Sequence, residues 1–242
     1  MPMRWKRHHL EIKESIMSVL CKAAFIESGR KAIMHTRRQI EDIIAEYPDF
    51  KTTHAPLKLS GCTPSVIKKM CVESKKVEVG PMAAVAGTIA DECLKTMIHV
   101  GAREAVVDNG GDIALFIRSP VNIGIYSGKN SPLNLAFQIK PRNNSLGICT
   151  SSGTVGHSFS YGKANAAVVI SENIVLADAA ATAIANRVST ENDLTSCFEI
   201  LNKLPEIEGS LVILNDKISL WGKLPRIIKS NIREELITKG QK

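Results

Sequence analysis

The sequence has few aromatic residues: two Trp, three Tyr and six Phe make up 5% of its 242 residues. Proteins that bind single-stranded nucleic acid stack the bases on aromatic side chains inside a basic groove. The net charge of +7 does not indicate such a groove, because the excess of basic residues lies at the two ends of the chain. We therefore expect no nucleic-acid partner, and we interpret the basic ends, residues 1–9 and 223–242, as solvated tails.

The chain also lacks an apolar run long enough to cross a bilayer. Its first residues lead into Glu11, Lys13 and Glu14 rather than into the apolar stretch of a secretory signal. The sequence therefore predicts a cytoplasmic protein without a membrane span.

Cysteine pairs with metal-binding spacing are missing too. The six cysteines, at positions 21, 62, 71, 93, 149 and 197, include no Cys-x-x-Cys pair and no zinc spacing. Most of their neighbours are apolar, so we predict that most of them are small buried hydrophobic residues. Cys149 opens a polar segment, and its predicted role is that of a buried thiol at the end of a strand.

Hydrophobic residues make up 44% of the chain, which is enough for a substantial core at this length. Helical spacing of apolar residues predicts long helices over Ser28–Tyr47, Met82–Met97 and Ile174–Arg187. Leu10–Leu20 is typical of one or two half-buried strands, and short apolar runs between Ala105 and Thr150 predict an antiparallel meander.

The C-terminal part of the chain is predicted to contain a helix over Glu191–Leu201, a strand pair formed by Leu211–Leu214 and Ile218–Trp221, and a last basic helix near Ile227–Ile237. No repeat and no flexible linker divides the sequence. We expect one α+β domain over residues 1–242, with room for two pseudo-lobes.

A polar segment follows the last strand of the meander. Residues 149–158 hold several hydroxyl groups, Gly153, Gly156 and the imidazole of His157, with almost no large apolar side chain. Such a segment does not belong in a core. Its amide and hydroxyl groups suit a site for an anion or another polar ligand.

The alanine-rich helix predicted at Ile174–Arg187 carries a second polar feature. Asp178 and Thr182 stand four residues apart and therefore share one face of this helix. Hard oxygen ligands of this kind suit Mg²⁺. An Asp that complements the helix dipole and a Thr that bonds to a carbonyl explain the same residues without a metal, so the helix alone leaves both interpretations open.

Three segments in order resemble the ApbE family of FAD:protein FMN transferases: Asn109–Asp112, the Ser152-Gly153 pair with His157, and Ala177–Ala183. Val79–Gly87 and Cys149–Ser158 are similar to the signatures of the uncharacterised ApbE-related family, and this similarity extends over nearly the whole chain. The resemblance implies an α+β fold of mixed and antiparallel sheets with helices packed on one side. It also implies FAD and Mg²⁺ as cofactors and an acceptor protein as a partner.

The resemblance further assigns roles to individual residues. It implies that Asp178 and Thr182 bind the metal and that His157 orients or deprotonates the acceptor. Residues implied to contact the flavin nucleotide are Met82, Gly87, Asn109, Gly110, Gly111, Asp112, Ser152 and Gly153.

The chain departs from the transferase pattern at two places. Ala86-Gly87 stands where the family usually has Lys-Gly, and His157 is followed by Ser158-Phe159 instead of Ile-Ile-Asp-Pro, which removes a carboxylate next to the expected reaction centre. Two functions remain open. One is Mg²⁺-dependent transfer of FMN to a protein hydroxyl, and the other is binding of a flavin or another small ligand, either without catalysis or with a different reaction. The sequence does not fix the oligomeric state.

Overall fold

The computed structural model of the chain describes residues 5–59, 61, 63–128, 133–153, 162–230 and 238. The strands within these residues are β1 Lys6–Ile12, β2 Ser15–Cys21, β3 Ala105–Asn109, β4 Asp112–Phe116, β5 Val121–Ile125, β6 Leu135–Ile139, β7 Leu146–Ser151, β8 Ala166–Ser171, β9 Ile207–Leu214, β10 Lys217–Gly222 and β11 Arg226–Lys229. The α-helices are α1 Ile26–Glu46, α2 Asp49–Thr52, α3 Ser65–Lys76, α4 Val85–His99, α5 Ile174–Arg187 and α6 Asp193–Ser196. Short 3₁₀ turns occupy Ala23–Phe25, Pro81–Ala84 and Glu199–Lys203.

Two antiparallel sheets organise the chain. Eight strands form the larger sheet in the order β1-β2-β3-β4-β7-β8-β9-β10, and the smaller sheet has the order β11-β6-β5. The chain therefore leaves the larger sheet after β4, builds the β5–β6 hairpin, and returns at β7. The predicted meander is confirmed for its strands, with this excursion into a second sheet.

The two faces of the larger sheet have different covers. Side chains alternate along each strand, so that Val107 and Val169 pack with the helices while their neighbours Val106 and Val168 pack with the smaller sheet. Phe137 of β6 is fully buried on this second side. The expectation of helices packed on one side is confirmed.

Helix α5 is buried nearly all round, between the sheet and helices α3 and α4. The Asn173 side chain caps it by accepting from Leu176 N, and its bounds agree with the prediction. Small side chains allow the close packing: a Cβ at Gly147 of β7 would lie 2.9 Å from Ile174 Cα. The sheet and α5 are therefore in direct backbone contact.

The predicted C-terminal helix near Ile227–Ile237 is wrong where the structure describes it. Arg226–Lys229 forms β11, which pairs with β6 in an antiparallel register. The two adjacent isoleucines at 227 and 228 fit a helix or a strand equally well, and the partner strand lies about ninety residues earlier in the chain. Local sequence does not reveal such a partner.

Two further expectations need correction. The helix predicted over Glu191–Leu201 is divided into α6 and the 3₁₀ turn Glu199–Lys203. The buried residues keep a helical spacing, which explains the prediction, but the type of backbone hydrogen bond changes between the two segments. Lys6 and Arg7 belong to β1, where they pair with Cys21 and Leu20, and not to a solvated tail.

Among the described helices, none is both long and apolar enough to cross a bilayer.

Replacement of Gly147 by Ala should weaken the contact between β7 and α5. The new methyl group would lie 2.9 Å from Ile174 Cα and 3.0 Å from Ile174 Cγ1, so the helix must move. We expect a loss of about 1–3 kcal/mol in the free energy of unfolding, measured by urea denaturation. Asn122→Ala, at an exposed position of β5, serves as the control and should change stability by no more than about 0.5 kcal/mol. Equal urea midpoints for Gly147→Ala and the wild type would contradict the close contact.

Candidate functional site

Asp178 lies where α5 meets the first turn of α4. Its side chain is 6% exposed, and its Oδ2 accepts a hydrogen bond of 2.7 Å from Gly87 N. Helix α4 begins at Val85, so the Gly87 amide is among those that have no acceptor within the helix. Asp178 thus caps α4 from another helix, and the positive end of the α4 dipole favours its charged form.

Gly87 makes this contact possible. A Cβ at position 87 would lie 2.7 Å from Asp178 Cβ and 3.1 Å from Ile174 O, which is too close for any side chain. The structure therefore gives Gly87 a packing role between α4 and α5. Its predicted contact with a flavin nucleotide stays a prediction.

The turn between β3 and β4 is tied to the same end of α4. Gly110 and Gly111 have φ angles of +69° and +107°, a backbone region that favours glycine. Asn109 is buried, and its Nδ2 donates a hydrogen bond of 3.0 Å to Ala86 O, next to Gly87. The Gly111 amide already donates to Asp108 Oδ1, at 2.9 Å, so the turn does not offer this amide to a ligand.

Asp112, at the start of β4, places a second carboxylate beside Asp178. Burial raises the pKa of Asp178 from its ordinary value to about 7, although the Gly87 amide, the neighbouring Asp112 carboxyl group and the Ala86 amide favour its charged form and oppose the rise. Burial and the charges of Asp178 and Asp108 raise the pKa of Asp112 well above its ordinary value. The two carboxyl groups therefore carry negative charge poorly in the absence of a cation.

Asp108 and Cys149 complete the surroundings of this pair. Burial raises the pKa of Asp108, while the Thr238 hydroxyl, which donates to Asp108 Oδ2 at 2.6 Å, favours its charged form. Burial and the charges of Asp112 and Asp178 raise the pKa of the Cys149 thiol well above its ordinary value. Cys149 is fully buried on β7, as predicted, and its environment favours the neutral thiol.

Thr182 is half-buried one turn after Asp178 on α5. The Thr88 hydroxyl bonds back to the Ala84 carbonyl, but the Thr182 hydroxyl has no such bond within the described part of the chain. The interpretation of Thr182 as a back-bonded residue therefore receives no support. Its predicted role as a metal ligand stays a prediction.

The structure describes three of the four remaining predicted site residues. Met82 is half-buried in the 3₁₀ turn that precedes α4. Ser152 and Gly153 follow β7, where the Ser152 hydroxyl and the Gly153 amide both donate to Ala164 O. His157 lies outside the described residues, so its catalytic role stays a prediction.

The donor atoms of the site fit a hard divalent cation. Within the described residues, no group of three or more His, Cys, Asp and Glu side chains could hold a metal ion by itself. Mg²⁺ does not require such a group, because it keeps several waters and is usually bound by one or two carboxylates together with substrate phosphates. Asp112 Oδ1 is buried without a hydrogen-bond partner among the described residues. Such an oxygen atom is suited to bind a cation.

Comparisons with known proteins show which family the chain belongs to. The family model described as "AbpE bacteria" matches residues 2–197. A UPF0280 protein of Methanocella arvoryzae is 42% identical over 230 residues, which span 95% of this chain and 94% of that protein. The chain belongs to the UPF0280 family. The resemblance to the uncharacterised ApbE-related family is confirmed.

Solved structures show that this UPF0280 chain has the fold of ApbE flavin transferases. The apo form of the flavinyl transferase ApbE from Pseudomonas stutzeri has a TM-score of 0.61 at 12% identity, and the match covers 92% of this chain and 96% of that one. The flavin transferase ApbE from Vibrio cholerae has a TM-score of 0.55 at 13% identity, with 90% and 97% covered. The predicted ApbE-like α+β fold is confirmed. At these identities the similarity concerns the fold alone.

Two residues of the site were not predicted from the sequence. Asp108 adds a third carboxylate near Asp112. Ser151 is 6% exposed, and its hydroxyl has no hydrogen-bond partner among the described residues. The polar segment that begins at Cys149 includes Ser151 among several hydroxyl residues. The sequence does not show that the Ser151 hydroxyl is buried, whereas the packing of β7 does.

Replacement of Asp178 by Asn should raise the melting temperature of the cation-free protein by several degrees at pH 8. Asn keeps an acceptor for the Gly87 amide and removes a charge that burial disfavours. Because the folded-state pKa is about 7 and the ordinary value is 3.8, the folded state holds a proton that unfolding releases between those pH values. Stability from this group is therefore lost as the pH rises from about 4 to about 7. Melting curves in EDTA from pH 5 to pH 8 should show the advantage of the variant shrinking toward pH 5.

Asp91→Asn is the matched control, because it changes a buried carboxylate that has cationic partners. Asp91 is 1% exposed and forms ion pairs of 3.0 Å with Lys69 and 2.6 Å with Lys95. Its replacement should lower the melting temperature at pH 8. Similar losses in Asp178→Asn and Asp91→Asn would contradict an uncompensated charge at Asp178.

Proposed function

We propose that this UPF0280 protein binds FAD together with Mg²⁺ and transfers FMN from FAD to a Thr or Ser hydroxyl of an acceptor protein. The observation that carries the proposal is the buried pair of Asp112 and Asp178 at the first turn of α4, in a chain with the fold of ApbE flavin transferases. Among the described residues no cationic side chain forms an ion pair with either carboxyl group, and a buried pair of this kind is costly to a fold unless a ligand compensates it.

The reaction requires little covalent chemistry from the protein. The acceptor oxygen forms a bond to the phosphorus of the FMN moiety, the phosphoanhydride bond to AMP breaks, and the hydroxyl proton passes to a base, for which the sequence offers His157. Mg²⁺, when bound, supplies positive charge that neutralises the diphosphate and eases the departure of AMP. The protein's task is therefore to position its ligands.

Several described residues suit this task. Asp178 is held in one orientation by the Gly87 amide, and the Thr182 hydroxyl one turn later remains available as a further oxygen ligand. A Cβ at Gly110 would have no atom of the described residues within 4 Å, so among these residues nothing covers this side of the β3–β4 turn. Asn109 fixes the turn against α4 through Ala86 O.

A second function, ligand binding without transfer, is supported by one feature of the sequence. Ser158-Phe159 follows His157 where transferases have Ile-Ile-Asp-Pro, so a carboxylate expected near the acceptor is absent. A protein of this kind would retain the cation and nucleotide contacts and release no AMP.

Incubation with FAD, Mg²⁺ and a pool of Thr- and Ser-containing peptides should release AMP, detected by chromatography, and add the mass of FMN to a peptide. Asp178→Asn should reduce the rate by about 100-fold, because the carboxylate that would bind the metal becomes a weaker neutral ligand. Glu92→Gln, which changes a more exposed carboxylate on α4, should leave the rate unchanged.

The outcomes separate the two functions. AMP release that is equal in the wild type and in Asp178→Asn would contradict the proposed site. No AMP release together with a higher melting temperature in FAD and Mg²⁺ would favour ligand binding, since a ligand of the native state raises its stability. No change in melting temperature with either ligand would contradict the transfer function and the binding of flavin.

A further inference from the structure

Two buried oxygen atoms on the sheet side of the site lack hydrogen-bond partners among the described residues. They are Oγ of Ser151 on β7 and Oδ1 of Asp112 on β4, and the two residues are 6% and 8% exposed. Buried polar atoms in folded proteins nearly always have a partner, and an exception often marks the place of a water, an ion or a ligand. Two exceptions on neighbouring strands point to one such place.

The strand register puts these two atoms close to each other in the sheet. Ile113 pairs with Ile148, and continuation of this register places Asp112 opposite Cys149. The Cys149 thiol and the Thr150 amide both interact with the Asp112 carboxyl group. The Asp112 side chain therefore lies beside the last residues of β7, immediately before Ser151.

Ser151 faces the helix that carries Asp178. Cys149 Sγ lies 3.7 Å from Ile174 O at the start of α5, and residues two apart on a strand project to the same face. Ser151 therefore faces α5 as Cys149 does, two residues farther along the strand. Asp178 lies one turn beyond Ile174 on that helix.

Strand β7 and helix α5 also advance in the same direction. Gly153, which follows β7, packs on Gly162, and a Cβ at Gly162 would lie 1.8 Å from Ala185 O near the end of α5. Cys149 contacts the start of α5, and Gly153 lies near its end. Ser151 comes between these two residues in the chain, so it lies beside the intervening part of α5, which includes the turn with Asp178. The hydroxyl of Ser151 and the carboxylates of Asp112 and Asp178 border one space.

We propose that Asp112 Oδ1 binds the divalent cation directly, beside Asp178, and that the Ser151 hydroxyl holds a water or phosphate oxygen of the cation's coordination shell. This inference rests on the proposed function and assigns Asp112 to the cation instead of the flavin. A carboxylate oxygen without a donor is a hard ligand of the kind that Mg²⁺ binds. A hydroxyl group that orients a ligand of the metal is a typical outer partner.

The test measures cation binding without flavin or turnover. Titration of Mn²⁺ followed by electron paramagnetic resonance, and calorimetric titration of Mg²⁺, give dissociation constants for the full-length wild type, Asp112→Asn and Ser151→Ala. Asp112→Asn should raise the dissociation constant by more than tenfold, and Ser151→Ala by about tenfold, as removal of metal ligands and their partners usually does.

Ser210→Ala is the control variant. Ser210 is fully buried, and its hydroxyl donates to Val168 O at 2.8 Å, so its loss should lower the melting temperature in EDTA and leave cation affinity unchanged. Ser151→Ala should melt at the same temperature as the wild type in EDTA or higher, because the hydroxyl it removes has no partner among the described residues. A lower melting temperature would show that Ser151 has a structural partner and would overturn its assignment.

The remaining outcomes separate this inference from the proposed function. If the wild type binds Mn²⁺ and both site variants bind it equally well, the inference is wrong and the proposed function stands. If the wild type binds neither cation, both are wrong. Should Asp112→Asn fail to fold, Asp112→Ser and Ser151→Ala provide the same comparison, since the first removes the carboxylate and the second the hydroxyl without adding volume.

Discussion

The structure depends on the burial of one carboxylate, that of Asp178, at the junction of two helices and a sheet. Its Oδ2 accepts from the Gly87 amide at 2.7 Å, and the close approach of the elements is possible because neither Gly87 nor Gly147 has a side chain. The start of α4 compensates part of the charge. Asp112 adds a second carboxyl group in the same buried space, and the proposed cation would compensate the charge of this pair.

The fold supplies each part of the site from a different stretch of sequence. Helix α5 carries Asp178 and Thr182, α4 provides the amide that holds Asp178, the β3–β4 hairpin provides Asp112, and β7 provides Ser151. These elements meet on the helical side of the larger sheet, while the smaller sheet covers the other side.

The sequence predicted correctly the elements that are determined by residues close together in the chain. Helix α5 has the predicted bounds because its small and apolar residues end at a clear turn, and the Asn109–Asp112 turn was predicted because two glycines follow Asn. Strand β11 was mistaken for a helix because its partner β6 is distant in sequence. The interpretation of sequence alone cannot identify a pairing of this kind.

The same distinction applies to the site. The spacing of Asp178 and Thr182 on one helix face was visible in the sequence, whereas the contact between Asp178 and Asp112 was not, because 66 residues separate them. Ser151 stands among several hydroxyl residues, and the sequence does not show that its oxygen is buried without a partner among the described residues. Sequence resemblance identified the family, and tertiary packing identified which oxygen atoms face one another.

The most direct test of the central claim is a crystal structure of the protein grown at pH 8 with Mn²⁺, with anomalous scattering used to locate the metal. The account predicts an anomalous peak between the side chains, with Asp178 and Asp112 oxygens within about 2.0–2.2 Å, the range for small divalent cations. A structure without a peak there, in which the two carboxyl groups share a proton and bond to each other, would contradict it.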